Sequence, residues 1–182
     1  MKIFISYSAQ DTTLIGKFAD GLKQVEGVSQ VHWWEDSKRL GQEAWPQIFS
    51  WIDEADLVLV VVTGNVLSRA MAVGNEVGRA KAKGKYIIPL VSKVTGWRWL
   101  LQKLGFKVGI STADLGCLGD LVHVRINEHD PKAGIEQIKS ELTQLISARQ
   151  LQLVSAQQNA DNSLLLIGGV LTAVGLLWAA SK

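Results

Sequence analysis

At 182 residues the chain has room for one ordinary domain and an appendage. Its 47% apolar content supports a packed core and excludes wholesale disorder, and a net charge of +2 with scattered basic residues argues against a dedicated nucleic-acid binder. The lone Cys117 excludes an intrachain disulfide, and Met1-Lys2-Ile3-Phe4-Ile5 reads straight into a strand rather than into a secretory signal.

Ile3-Phe4-Ile5-Ser6-Tyr7 is a first strand. Asp11 stands at an N-cap position, and Leu14, Phe18, Leu22 and Val25 follow at helical spacing until Gly27. Residues 28–34 form a second, weaker strand, and 35–42 a charged loop. Trp45, Ile48, Phe49 and Ile52 mark one face of a second helix. Leu57-Val58-Leu59-Val60-Val61-Val62 is apolar on both faces, as a central parallel strand must be. After the turn Thr63-Gly64-Asn65, a third helix carries Val66, Ala70, Val73, Val77 and Ala80 on its inner face, and Gly84 suits its C-terminal cap. Residues 86–91 are a fourth strand and 121–126 a fifth; between them a short helix over 97–104 is expected. Asp130-Pro131 starts a last helix buried through Ile135, Ile138, Leu142, Leu145 and Ile146.

Alternation of this kind predicts an α/β fold: a flavodoxin-like five-stranded parallel sheet, order 2-1-3-4-5, with helices on both faces. Ligands of such sheets sit at the carboxyl ends of the strands, so the loops after strands one, two and three are where function is sought.

A polar, amide-rich stretch over 150–162 reads as a linker or helix extension. Residues 163–180 then carry no charge, and their helix would span roughly 27 Å, close to a bilayer's hydrocarbon core. The expectation is a transmembrane helix over 163–181 with Trp178 at the interface and small residues at four-residue spacing for helix association. The protein would then be a single-pass, tail-anchored membrane protein with residues 1–149 as its cytoplasmic domain. The other reading is a helix packed in an oligomer or folded back on the domain.

Several chemistries lack their motifs. There is no phosphate-binding P-loop and no dinucleotide fingerprint after the first strand. His32, His123 and His129 lack metal-ligand spacing, so no metal is expected.

The stretch Lys2-Ile3-Phe4-Ile5-Ser6-Tyr7-Ser8-Ala9-Gln10-Asp11 resembles the first motif of Toll/interleukin-1 receptor (TIR) domains. The run from Trp34 to Trp45 resembles the loop after their second strand, without the usual Pro before Gly41. Residues 48–62 match the helix and central strand that follow. Asn75-Glu76-Val77-Gly78-Arg79-Ala80, with Gly84 to Leu90 behind it, is similar to the third helix and fourth strand of bacterial members.

The resemblance implies two activities. Many bacterial and plant TIR domains cleave NAD⁺ at the nicotinamide–ribose bond, some with cyclisation; others self-associate as scaffolds. The implied function is an NAD⁺ hydrolase active on self-association, plausible in antiphage defence, with NAD⁺ as substrate and no cofactor. In the enzymes a glutamate on the third helix is essential, and Glu76 matches it; Ala72 stands where a Trp is usual. An anionic carboxylate near the ribose stabilises the oxocarbenium-like centre that cleavage builds. By helical periodicity Glu76 lies at the margin of the Val73/Val77 stripe. Its other reading is a solvated glutamate paired with Arg79.

Substrate-binding candidates are Phe4, Ser6 and Tyr7 as cleft walls, Asp36 and Arg39 towards ribose or pyrophosphate, Trp34 and Trp45 for base stacking, and Ser68 near the third helix's start. Each has a structural reading: sheet packing, solvated loop charge, core tryptophan, or helix cap. Expected partners are NAD⁺, a second copy through the domain and the terminal helix, the membrane, and another TIR-containing or effector protein. The alternatives to the enzyme are a membrane-bound adaptor using the 35–45 loop and a membrane-disrupting effector gated by the domain.

Overall fold

Leu57–Val62 (β3) buries all six of its side chains. A strand covered on both faces lies inside a sheet, and the neighbours of β3 bear this out. Lys2–Ser6 (β1) pairs with it in parallel on one side, Ile3 opposite Leu57, and Tyr86–Ser92 (β4) on the other, Leu57 opposite Tyr86. Gln30–His32 (β2) flanks β1, and Val124–Ile126 (β5) flanks β4, both in parallel. The order is β2-β1-β3-β4-β5, as the alternation of elements predicts. The computed structural model describes residues 1–93, 103–104, 112–127, 130 and 132–148.

Side chains alternate across the strands. Phe4, Val58, Val60, Val62 and Val91 turn to the face covered by the helices Ala44–Glu54 (α3) and Ala70–Ala82 (α4). There they meet Ile48, Trp51 and Ile52 of α3 and Val73, Val77 and Ala80 of α4. Ile3, Ile5, Leu57 and Leu59 turn the other way, where Thr12–Lys23 (α1) buries Ile15, Phe18, Ala19 and Leu22. A single helical turn, Trp34–Ser37 (α2), follows β2, and a last helix (α5) covers 132–148, with the Asp130 carboxylate accepting from the Ala133 N–H at its start. Gly134 brings α5 close to α1 and the sheet: a Cβ there would stand 3.0 Å from Ile126 Cγ2 and 3.2 Å from Phe18 Cζ. The chain divides into two units, 1–141 and 142–182.

Several expectations are corrected. The second and fifth strands are only three residues long. Ser29 and Asp56, outside the strands, still tie to the β1 backbone, through Ser29 N–H to Met1 O and Lys2 N–H to Asp56 Oδ2, both 2.8 Å. The buried face of α3 is set by Trp51, 7% exposed, and not by Trp45, which is 39% exposed. The short helix expected over 97–104 lies almost wholly outside the described residues.

The membrane-spanning helix is corrected too. Among the described residues no helix is long and apolar enough to cross a membrane. A span needs about 20 apolar residues. The helix α4 is 13 residues long in all, and α5 carries Lys132, Glu136, Lys139 and Glu141. The expected segment 163–181 lies outside the described residues. The tail-anchored placement, the membrane as partner, assembly through that helix and the membrane-disrupting effector are therefore not carried forward.

The packing predicts an asymmetry between two leucines. Leu59→Ala, in the fully buried β3, is expected to cost about 2–5 kcal/mol in urea unfolding. Leu40→Ala, at a position 90% exposed, is expected to stay within about 0.5 kcal/mol of the parent.

Candidate active site

Because the strands are parallel, their carboxyl ends gather on one edge. The segments after β1, β2 and β3 meet there. A 3₁₀ turn, Ala9–Asp11, leads from β1 into α1, and another, Val66–Arg69, leads from β3 towards α4. Asp11 makes no capping bond at the start of α1. Its buried carboxylate instead accepts from Thr63 Oγ1 and Asn65 Nδ2, both at 2.6 Å. The first and third loops are thereby tied together.

Above them lies a cleft of about 290 Å³, lined by Phe4, Tyr7, Trp34, Glu35, Trp45, Arg69 and Glu76 among others. This volume is near the lower end for small-molecule sites. Aromatic rings supply much of its wall. Trp45 forms one lip and packs on Phe49, centroids 5.4 Å apart. Trp34 packs against the buried Trp51 at 6.0 Å, and Trp51 in turn stacks on His32 at 5.7 Å with planes 6° apart. Burial lowers the His32 pKa. It pushes the Tyr7 phenol up to about 12, against hydrogen bonding from the Glu35 backbone.

Glu76 is 5% exposed and sits among the buried residues of α4 with Val73, Val77 and Ala80. It is neither solvated nor paired with Arg79. The Arg79 guanidinium grips Asp53 on α3, Nε to Oδ1 at 2.8 Å, and lies 5.3 Å from the Phe49 ring centroid. That pairing, not burial, is the main cause holding the Asp53 carboxyl below its usual value. Burial raises the Glu76 pKa, while the Ser6 hydroxyl and the Arg69 guanidinium pull it back. Ser6 Oγ faces the carboxylate without completing a hydrogen bond. Ser8 Oγ and Trp33 Nε1 are likewise buried without a partner among the described residues. Such groups are rare in native proteins, and they concentrate here at the ends of β1 and β2.

Of the expected site residues, the cleft gathers Phe4, Tyr7, Trp45 and Glu76, with Ser6 beside Glu76. Asp36 and Arg39 stand elsewhere. Asp36 Oδ2 lies 3.5 Å from Lys23 Nζ. Arg39 donates its backbone N–H to Gln47 Oε1 at 2.7 Å and lines a separate polar groove with Lys2, His32 and Glu54. Ser68 lies on the turn before α4. The cleft also gathers Trp34, an expected stacking residue, together with Glu35 and Arg69, which the sequence did not mark as candidates. For Arg69 a signal existed: it precedes Glu76 by seven residues, two helical turns. Among the described residues no cluster of His, Cys, Asp and Glu could hold a metal.

Residues 3–139 match the family model described as the TIR domain. No curated protein matches the chain. Among solved structures, the TIR domains of the activated Roq1 resistosome, which directly recognizes the pathogen effector XopQ, superpose with a TM-score of 0.54 at 16% identity, over 78% of this chain and 98% of that one. The CMP N-glycosidase BcmB of Clostridium botulinum superposes with a TM-score of 0.46 at 18% identity, over 76% and 98%.

The raised pKa of Glu76 has a consequence for stability. A carboxyl whose pKa is higher folded than unfolded contributes stability that is full below the unfolded value, about 4.3, and is lost as pH rises through the folded one. Glu76→Gln removes that loss. Its Tm is expected to exceed the parent's by a few degrees at neutral pH, the two converging as pH falls below about 4. A gap of the same size at both pH values would show that burying this carboxyl carries no charge cost.

Proposed function

The chain belongs to the TIR-domain family, and from that premise we propose that it is an NAD⁺ hydrolase, cleaving the bond between nicotinamide and ribose. The observation that carries the reading is one buried glutamate, Glu76, lining an aromatic cleft at the carboxyl edge of the sheet.

The chemistry suits such a site. When the bond from ribose C1′ to the pyridinium nitrogen breaks, its electron pair leaves with nicotinamide, which departs neutral. Positive charge develops on the ribose. The Glu76 carboxylate, in a pocket of low polarity, stabilises that charge more strongly than it would in water. Water then adds to C1′ and releases a proton, giving ADP-ribose; an internal nucleophile of the substrate would give a cyclic product instead. The nicotinamide leaving group needs no acid, so one carboxylate suffices.

The cleft walls divide the remaining work. Phe4, Tyr7, Trp34 and Trp45 offer flat apolar surface for the pyridinium ring. The orphaned Ser6 hydroxyl is placed to hydrogen-bond a substrate oxygen or Glu76 itself. The volume suits the nicotinamide riboside end of the dinucleotide better than the whole. Self-association through the domain is part of the proposal, as the condition under which the enzyme is active.

The test is nicotinamide release by the purified full chain, free and artificially clustered, beside Glu76→Gln. The parent is expected to release nicotinamide, more when clustered, and the variant to fall by about 100-fold or more. Equal release from both proteins removes Glu76 from the mechanism.

A second reading, the adaptor, is favoured by one observation: Leu40 is 90% exposed in the loop between α2 and α3, beside Gly41 at φ +77°. Its signature is capture of another TIR domain that survives Glu76→Gln and fails with Leu40→Asp.

A further inference from the structure

A carboxylate almost removed from water needs a counter-charge if it is to stay ionised. The groups that face Glu76 come from four directions. From β1 come Ser6 and, just beyond the strand, Tyr7; from α2 comes Glu35; from α3 come only Ala44, Trp45 and Ile48. Arg69 comes from the turn before α4. Tyr7 stays neutral until far above neutral pH, and the carboxylate of Glu35, the second acidic residue of the cleft, is paired with Lys38. Among the described residues lining the cleft, Arg69 is the one cation.

The cations that helical spacing would offer are engaged on α3. Arg79 bonds Asp53, Lys83 Nζ lies 3.9 Å from the same carboxylate, and Lys85 Nζ donates to the Asp53 carbonyl at 2.6 Å. Arg69 stands outside that network, at the break before α4. Its backbone, at φ −124° and ψ 21°, separates the 3₁₀ turn from α4. The side chain is thereby set on the cleft side, two turns ahead of Glu76.

We propose that Arg69 is the positioning residue of this site: its guanidinium is the counter-charge that keeps the Glu76 carboxylate ionised inside the aromatic cleft. Its role is to act through Glu76, not to bind the phosphates of the substrate. The proposal rests on the reading of Glu76 as the carboxylate that acts on ribose.

The experiment uses the full chain as parent, Arg69→Gln and Arg69→Lys, with two readouts. The first is the ¹³C titration of the Glu76 carboxyl, assigned by its loss in Glu76→Gln. Arg69→Gln is expected to move that titration to higher pH, and Arg69→Lys to restore most of it. An unmoved titration overturns the proposal. This readout needs no turnover, so it stands even where the parent releases no nicotinamide and the hydrolase reading fails.

The second is nicotinamide release from NAD⁺ and from nicotinamide riboside, which lacks the phosphates, across the acidic limb of the pH profile. Arg69→Gln is expected to lose about tenfold or more in kcat at neutral pH on both substrates, and to recover as pH rises. A loss confined to NAD⁺, expressed in KM with the acidic limb unmoved, assigns Arg69 to phosphate and overturns the proposal. Should Arg69→Gln not fold, Arg69→Met keeps the aliphatic stem and takes its place in both readouts.

Discussion

The rest of the structure depends on the two-sided burial of β3. Six consecutive apolar residues leave no face of that strand for water, so the sheet must extend to both sides of it and helices must cover both surfaces. Parallel pairing with β1 and β4 then follows from the crossover helices, and parallel pairing sends all the strands' carboxyl ends to one edge. The cleft lies at that edge, beside the point where the order reverses between β1 and β3. Its position is thus a consequence of where the apolar residues had to go.

Within that frame the site is assembled by side chains that work against local preference. Glu76 occupies a place on α4 that packing alone would fill with an apolar residue, between Val73 and Ala80 on the covered face. Asp11 gives up a helix cap to bind Thr63 and Asn65. Ser6 and Ser8 are buried without partners. Burying Glu76, Ser6 and Ser8 costs stability, and all of these groups gather at the carboxyl edge of the sheet. Strain of this kind gathered in one place is what a binding site looks like energetically.

Electrostatics separate two networks that lie on one helix. On the outer side of α4, Arg79 and Lys83 converge on Asp53, half-exposed, where solvent screens the attraction and the pair contributes little to stability. On the inner side, Glu76 is held apart from that cluster, with Arg69 across the cleft.

By itself the sequence determined the α/β class, the strand order and the extent of the central strand, because periodicity and the order of elements are local and additive signals; Glu76 was marked by resemblance to a family, and its burial was not visible in helical spacing. Of the expected face of α3, Ile48 and Ile52 are buried but Trp45 is not, and packing under Trp34 and His32 brings Trp51 into the core instead. Arg39 was credited with anion binding for its charge, yet the backbone bond to Gln47 turns its loop to another groove. An apolar run towards the end of the chain suggested a membrane span, and hydropathy alone does not decide between a bilayer and protein as the apolar surroundings. Tertiary structure decided which charges come together: Arg79 grips Asp53, and Arg69 lines the same cleft as Glu76. The first joins residues on different helices, about which spacing along the chain carries no information; the second spans a helix break, where spacing gives only a hint.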